Sequence, residues 1–478
     1  MKRVLVLLFA ALLVVSCGKR KQGLVFNPKH SVEGSLEMYD GTEVKYTAYE
    51  GLCYVRNVED STYQRMNVYV PEGADKHSPI FLRTYIGGYM ASQARAPQAD
   101  DATGRALKEG YVVVIPGARG RNSIQGNLYT GRAPKALLDL KAAVRYLRLF
   151  DKKMPGDAER IVVDGTSAGG AMVALLGATG NSKMFEPMLQ KMGAAKTSDA
   201  VFAVVSYCPI TDLEHADMAY EYVYHNTASR RALDADLRVL SLELKDMYPV
   251  YLDSLKLTYW DGTPVNSGNY MELLKRELIR SAQVAKNAGA DLPDSIGLMF
   301  SGSSPASMPP VDGQPGGEMR RREVVRGEYV VDIDMERYLD YVVSTRALKP
   351  VPAFDSKDVA GQPPTGENEL FGDESGNSVN FTDYSSARSG MTITQPIADR
   401  VRMMNPMNFI GAADNAEHWY IRHGARDRDT GFPVSFNLAM KLQNAGLDVN
   451  FLFAWNRGHS GDYALDDLFG WLSQVMKK

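Results

Sequence analysis

The sequence predicts an α/β fold: a mostly parallel sheet covered by helices on both faces and interrupted by one long insertion. Three observations carry that expectation. Short continuous apolar runs such as "YVVVIPG", "RIVVDG" and "VFAVVSYC" read as strands buried on both faces. Segments with apolar residues at helical spacing, such as "PKALLDLKAAVRYLRLF", alternate with them. The rhythm stops near residue 212 and returns after residue 400, so the stretch between splits one strand–helix domain in two.

In chain order, residues 24–70 alternate apolar and polar positions, as in "VKYTAYEGLCYV" and "RMNVYV", and predict antiparallel strands with turns. "SPIFLRTYIGG" follows as a strand ending in a glycine pair, then a helix near "GRALKEG", then the strand and loop of "YVVVIPGARG". "RIVVDGTSAGGAMVALLGATG" reads as strand, sharp turn and helix, and "VFAVVSYCPITDL" as the next strand. Residues 213–400 mix helices, such as "ADLRVLSLELKDMYPVYLDSL" and "MERYLDYVVSTRAL", with loops; residues 301–317 are rich in Gly, Pro and Ser and are assigned no regular structure. Residues 401–478 resume the pattern with a strand in "EHWYIRHGARDRD", a helix in "PVSFNLAMKLQNAG", a strand in "VNFLFAW" and a terminal helix. The expected parts are a leader over 1–16, a tether over 17–23, a core over 24–212 and 401–478, and an inserted domain over 213–400. No internal repeat interrupts this order.

Composition narrows the function. A net charge of -3 with 23 % charged residues, and no long basic run, argues against nucleic acid as a partner. At the N-terminus, "MKR" precedes an apolar run over residues 4–15, too short to span a bilayer comfortably but suited to a signal-peptide centre. The closing "VVSC" resembles the lipobox of bacterial lipoproteins. That implies lipidation of Cys17, export, and attachment to the cell envelope by the lipid alone, with "GKRKQG" as a polar tether. Cys53 and Cys208 could pair in an oxidising compartment, but Cys208 ends an apolar strand and is expected to be a buried free thiol. No cluster has metal-ligand spacing, and no cofactor is expected.

The chemistry is read from "DGTSAGG", residues 164–170. "GTSAG" fits G-x-S-x-G, a turn in which a serine sits on strained backbone between a strand and a helix, and where bulky neighbours would clash. Ser167 is therefore the candidate nucleophile. A hydroxyl needs a base, and the base needs an orienting acid. Of the seven histidines, only His459 lies in a loop between a late strand and the terminal helix, flanked by the small Gly458 and Gly461. Asp427, in "HGARDRD" after the preceding strand, is the candidate acid, giving the chain order Ser, Asp, His of α/β-hydrolases. His423 reads as a structural residue of that loop. The N–H groups of Ala168 and Gly88 are the candidate oxyanion donors.

The blocks "GTSAGGAMVALLGATGNS", "YCPITDLEHADMAYE", "LKPVPAFDS", "TGENELFG", "RHGARDRDT" and "RGHSGDY", in this order, resemble the bacterial tannases. The resemblance runs from about Tyr85 to Gly461. It implies an α/β-hydrolase fold whose insertion is a lid domain, and a serine esterase acting on galloyl esters of tannins through an acyl-enzyme. The family's triad falls on Ser167, Asp427 and His459. Its three grips on the galloyl hydroxyls fall on Lys349, Glu367 and Asp429, with Glu369 an alternative to Glu367 and "DVAGQPP" lengthening the lysine-to-glutamate spacing. The other reading of Lys349 and Glu367 is a surface ion pair. Functional alternatives are a feruloyl esterase or broad carboxylesterase with the same triad. A dipeptidyl-peptidase-like hydrolase lacks an early propeller repeat to support it, and the complete Ser-His-Asp set argues against a binding protein on an inactive scaffold.

Overall fold

The protein is described here by a computed structural model covering residues 23–302 and 328–477. Nine strands make its main sheet: β1 (Val32–Glu37), β2 (Glu43–Leu52), β3 (Met66–Pro71), β4 (Pro79–Arg83), β5 (Val112–Pro116), β6 (Asp157–Thr166), β7 (Ala203–Tyr207), β8 (His418–Gly424) and β9 (Asp448–Ala454). Their spatial order is β1-β2-β3-β5-β4-β6-β7-β8-β9. The first three strands and the β3–β5 pair are antiparallel, as the alternating residues 24–70 predict. From β5 through β9 every neighbour is parallel. The helices used below are α1 (Ala102–Lys108), α2 (Lys135–Phe150), α3 (Ala168–Ala178), α4 (Leu213–Tyr224), α5 (Tyr270–Asn287), α6 (Gly366–Leu370), α7 (Phe432–Asn444) and α8 (Leu465–Val475).

Side chains of successive strand residues leave opposite faces of a sheet, so a strand covered on both sides must be apolar throughout. Ile80 and Leu82 of β4, with Val112 and Val114 of β5, join the core under α2, α3 and α7. Phe81 between the first pair, and Val113 and Ile115, join the opposite core with Ala106 and Leu107 of α1 and Leu468 and Phe469 of α8. That is the physical content of "IFL" and "VVVI".

Between β7 and β8 the chain contributes helices and a small hairpin, Leu298–Ser301 with Tyr329–Ile333, but no strand of the main sheet among the described residues. This stretch shares one apolar cluster with the sheet: Tyr220, Tyr270 and Tyr338 pack in the same core as Met172, Val204 and Phe453. Helix α5 lies along the edge strand β9. Ser281 Oγ accepts from the Phe453 N–H at 3.1 Å, and Arg280 donates to the Phe451 carbonyl at 2.6 Å. An otherwise open sheet edge is thereby covered. Cys208 is a free, buried thiol, so it does not pair with Cys53. Cys17 and most of the Gly/Pro/Ser-rich segment lie outside the described residues. Among the described residues no helix is long and apolar enough to cross a membrane.

Parallel strands end on the same side. β6 stops at Thr166, β8 at Gly424 and β9 at Ala454, each just before a candidate residue. The topology therefore delivers three loops to one rim of the sheet, where sites in open α/β sheets lie.

Candidate active site

Ser167 holds φ 61 and ψ -124, a left-handed strand-to-helix turn that its neighbours make room for. A Cβ on Gly165 would stand 2.5 Å from the Gly169 carbonyl oxygen, on Gly169 2.8 Å from that of Ile86, and on Gly170 2.7 Å from that of Tyr207. All three contacts are with backbone, which cannot swing aside. The Ser167 N–H donates to Tyr207 at 2.9 Å, and its carbonyl accepts from Ala171 at 2.9 Å, opening α3.

His459 Nε2 lies 2.7 Å from Ser167 Oγ, and its Nδ1 lies 2.7 Å from Asp427 Oδ2. Ionised Asp427 can only accept, so Nδ1 carries the ring proton and Nε2 is free to accept from the serine. Asp427 is fully buried, and its other oxygen accepts from the Asp429 N–H at 2.8 Å. Burial works to raise this carboxyl, but the neighbouring His459 and the hydrogen bonds to the carboxylate outweigh it and hold it down to about 2. The same pairing acts in reverse on His459: burial lowers the imidazole, and the adjacent Asp427 charge and hydrogen bond raise it above the ordinary histidine value. His423 is buried, with Nδ1 2.9 Å from Ser435 Oγ, and burial pushes it down to about 4. It stays neutral.

The loop glycines divide differently from expectation. A Cβ on Gly461 would stand 2.0 Å from Thr166 Oγ1, so the His459 loop lies flat on the residue before Ser167. Gly458 has open space around it; its carbonyl instead crowds Gly424, where a Cβ would stand 2.2 Å away. Gly88 has φ 54, and its carbonyl accepts from Arg121 Nε at 2.8 Å, which fixes that peptide. Among the described residues, neither the Gly88 N–H nor the Ala168 N–H has a hydrogen-bond acceptor.

Glu367 and Glu369 have different surroundings although both sit on α6. Glu369 pairs with Arg121 and is half-exposed. Glu367 is buried without an ion-pair partner among the described residues, and its charge reinforces burial in raising the Tyr89 phenol. Lys349 places Nζ 3.9 Å above the Phe354 ring and makes no pair with Glu367. Asp429 pairs with its neighbour Arg428 at 2.5 Å.

A family model described as BD-FAE matches residues 66–253. The crystal structure of a tannase from Fusobacterium nucleatum superposes with a TM-score of 0.82 at 36 % identity, covering 95 % of this chain and 99 % of that one. A tannin acyl hydrolase solved in complex with ethyl gallate superposes equally well, with a TM-score of 0.82 at 35 % identity over 95 % and 99 % of the two chains. The chain belongs to the tannase family. A para-nitrobenzyl esterase of Bacillus subtilis (strain 168) is 28 % identical over 149 residues, which span 30 % of this chain and only 29 % of that protein. The tannase-family chain is thus a carboxylic ester hydrolase with the α/β-hydrolase fold.

Several residues that organise its site escaped sequence reasoning. Helix α4 acts as a spine. The Tyr224 hydroxyl donates to the Asp427 carbonyl at 2.9 Å. The Tyr220 hydroxyl donates to the Arg428 carbonyl at 2.5 Å and accepts from the Lys349 N–H at 3.1 Å. Asp217, one turn earlier, accepts from the Phe354 and Asp355 N–H groups at 2.7 and 3.2 Å. Asp355 in turn accepts from Asn368 Nδ2 at 2.6 Å, next to Glu367. One helix face therefore holds the acid loop, the Lys349 segment and α6. The only available signal was polar and tyrosine residues on the buried side of an amphipathic helix.

Two groups of potential ligating side chains exist among the described residues: Cys208, Asp427 and His459, and Asp212, Glu214 and His215. The first is the site itself, with Asp427 and His459 already engaged with each other. In the second, Asp212 Oδ1 lies 2.7 Å from His215 Nδ1 and accepts from Asn405 Nδ2 at 2.7 Å.

Proposed function

We propose that the protein hydrolyses galloyl esters of the tannin class through an acyl-enzyme on Ser167. The observation that carries the reading is the unbroken line Asp427–His459–Ser167, with 2.7 Å at each step. As Ser167 Oγ bonds to the ester carbonyl carbon, His459 Nε2 takes its proton and Asp427 stabilises the resulting imidazolium. The free Gly88 and Ala168 N–H groups, the latter at the positive end of α3, receive the carbonyl oxygen as it becomes negative. The tetrahedral adduct collapses, His459 returns the proton to the leaving alcohol, and the acyl group remains on Ser167. Water, deprotonated by His459, then releases the acid.

The gallate preference is assigned to Glu367, Lys349 and Asp429, a reading supported by the likeness to a tannin acyl hydrolase solved with ethyl gallate. A buried carboxylate with no ion-pair partner among the described residues, such as Glu367, favours a substrate that supplies hydroxyl donors and penalises one that does not. The test is a paired assay. Methyl gallate is expected to be cleaved far faster than methyl ferulate, whose methoxy group fills one donor position. The reverse order would replace this reading with a feruloyl or broad esterase. Ser167→Ala is expected to abolish both hydrolysis and labelling by a fluorophosphonate.

A further inference from the structure

One buried guanidinium, on the strand that leads to Gly88, touches both the segment that carries Ser167 and the segment that carries His459. Arg83 is the last residue of β4, five positions before Gly88. Its Nη1 lies 2.5 Å from Asp164 Oδ1, and Asp164 stands three positions before Ser167 in β6. The same Nη1 lies 2.6 Å from Asp462 Oδ1, while Nη2 lies 2.6 Å from Asp462 Oδ2, and Asp462 stands three positions after His459. Arg83 is 6 % exposed and Asp164 is fully buried.

Stability is a weak account of this triplet. Taking a buried ion pair out of water costs several kcal/mol per ion before the attraction is counted, and such groups are often no better than apolar packing. What a forked guanidinium–carboxylate pair provides is direction, since two parallel N–H donors admit one arrangement of the partner. Direction is what the His459 loop lacks on its own. It has no regular structure, and Asn456, Asp462 and Ala464 all take left-handed backbone, with φ of 60, 58 and 63. A loop bent at three such places holds its shape only if neighbouring structure imposes it. Gly461 seats it on Thr166, and Arg83 grips the next residue.

We infer that Arg83 and Asp462 are positioning residues for the general base: their forked ion pair, anchored on Asp164, sets the placement of His459 over Ser167. Neither touches the reacting atoms. They act by fixing the loop, and a displacement of about 1 Å in a catalytic group can cost about 100-fold in rate. Neither makes a hydrogen bond or ion pair with Lys349, Glu367 or Asp429, so the grip on substrate is separate from the clamp. The inference rests on His459 acting as the base.

The test uses the whole enzyme with methyl gallate, assayed well below each variant's Tm. Asp462→Asn keeps the shape and tolerates the left-handed backbone but removes the charge, and Arg83→Lys keeps the charge but removes the fork. Each is expected to lower kcat about 10- to 100-fold with KM within about twofold, as misplacement of a base predicts. The double variant is expected to be no worse than the poorer single one, because both break one device. Parental kcat in Asp462→Asn, a loss carried by KM, or additive losses would overturn the inference; should Arg83→Lys fail to fold, Asp462→Asn decides alone. His459→Ala separates this from the functional reading. Substantial activity in His459→Ala refutes the base assignment itself, whereas an inactive His459→Ala beside a fully active Asp462→Asn refutes only the clamp.

Discussion

Tyr220→Phe removes one oxygen that serves two masters. Its hydroxyl gives its proton to the Arg428 carbonyl at 2.5 Å and takes one from the Lys349 N–H at 3.1 Å, inside a fully buried ring. Phenylalanine fills the same space, so no cavity opens; two backbone groups are left without partners. Each buried orphan costs roughly 1–3 kcal/mol, so a loss of about 2 kcal/mol in unfolding free energy is expected once relaxation is allowed for. The functional effect should be narrower. Lys349 keeps a second anchor, Arg230 Nη1 donating to its carbonyl at 2.9 Å, so the segment shifts rather than detaches. A fall of about tenfold in kcat/KM for methyl gallate, equal to about 1.4 kcal/mol, is expected, with a much smaller fall for an acetate ester that has no ring hydroxyls. Tyr224→Phe is the control, because its hydroxyl meets the Asp427 carbonyl instead and should affect both esters alike. Urea titration gives the stability, and parallel kinetics on the two esters give the selectivity. An unchanged gallate-to-acetate ratio in Tyr220→Phe, alongside the stability loss, would refute the idea that α4 positions Lys349 for the substrate.

Other outcomes follow from the same contacts. Gly461→Ala places a Cβ 2.0 Å from Thr166 Oγ1, so either the Thr166 side chain rotates or the loop lifts; kcat should fall about tenfold on every ester, read by steady-state kinetics. Glu367→Gln is expected to lower kcat/KM for methyl gallate by about 10- to 100-fold while sparing acetate esters, in the range lost when one charged hydrogen bond to substrate is removed. Glu369→Gln breaks only a half-exposed pair with Arg121 and should change either rate by less than about threefold. In the proposed mechanism neutral His459 is the base, and Asp427 raises its pKa, so the acid limb of kcat/KM should lie above the ordinary histidine value. Asp427→Asn removes the raising charge and should carry that limb to lower pH while kcat falls by about 10⁴-fold. A limb that stays in place, or moves up, would contradict the assigned pairing.

The strand order along the chain and the elbow were legible because each is written in a local code. Continuous apolar runs mark strands covered on both faces, and "DGTSAGG" marks a turn whose crowding is with backbone only a few residues away or directly beneath it. Asp427 and His459 were legible for a related reason: each follows a recognisable strand, and parallel strands deliver their following loops to one rim. Glu367 and Glu369 could not be separated in the same way. They differ by two positions on one short helix, and only the approach of Arg121 from a distant loop engages Glu369 and not the buried Glu367. The insertion was read as a separate domain because its pattern differs, whereas in three dimensions its tyrosines share the core of the sheet.

By itself the sequence determined the α/β layering, the serine turn and the candidate residues Ser167, Asp427 and His459 at loops after strands, since these depend on periodicity and on neighbours within a few residues. Only the tertiary structure decided which polar groups of the insertion meet the Asp427 loop, which glutamate pairs with Arg121, and that Arg83 joins residues 164 and 462. Those facts depend on contacts between segments tens to hundreds of positions apart, each chosen by the burial and hydrogen-bonding needs of both partners. A hydroxyl, carboxylate or guanidinium looks the same in a sequence whether it faces water or closes such a contact.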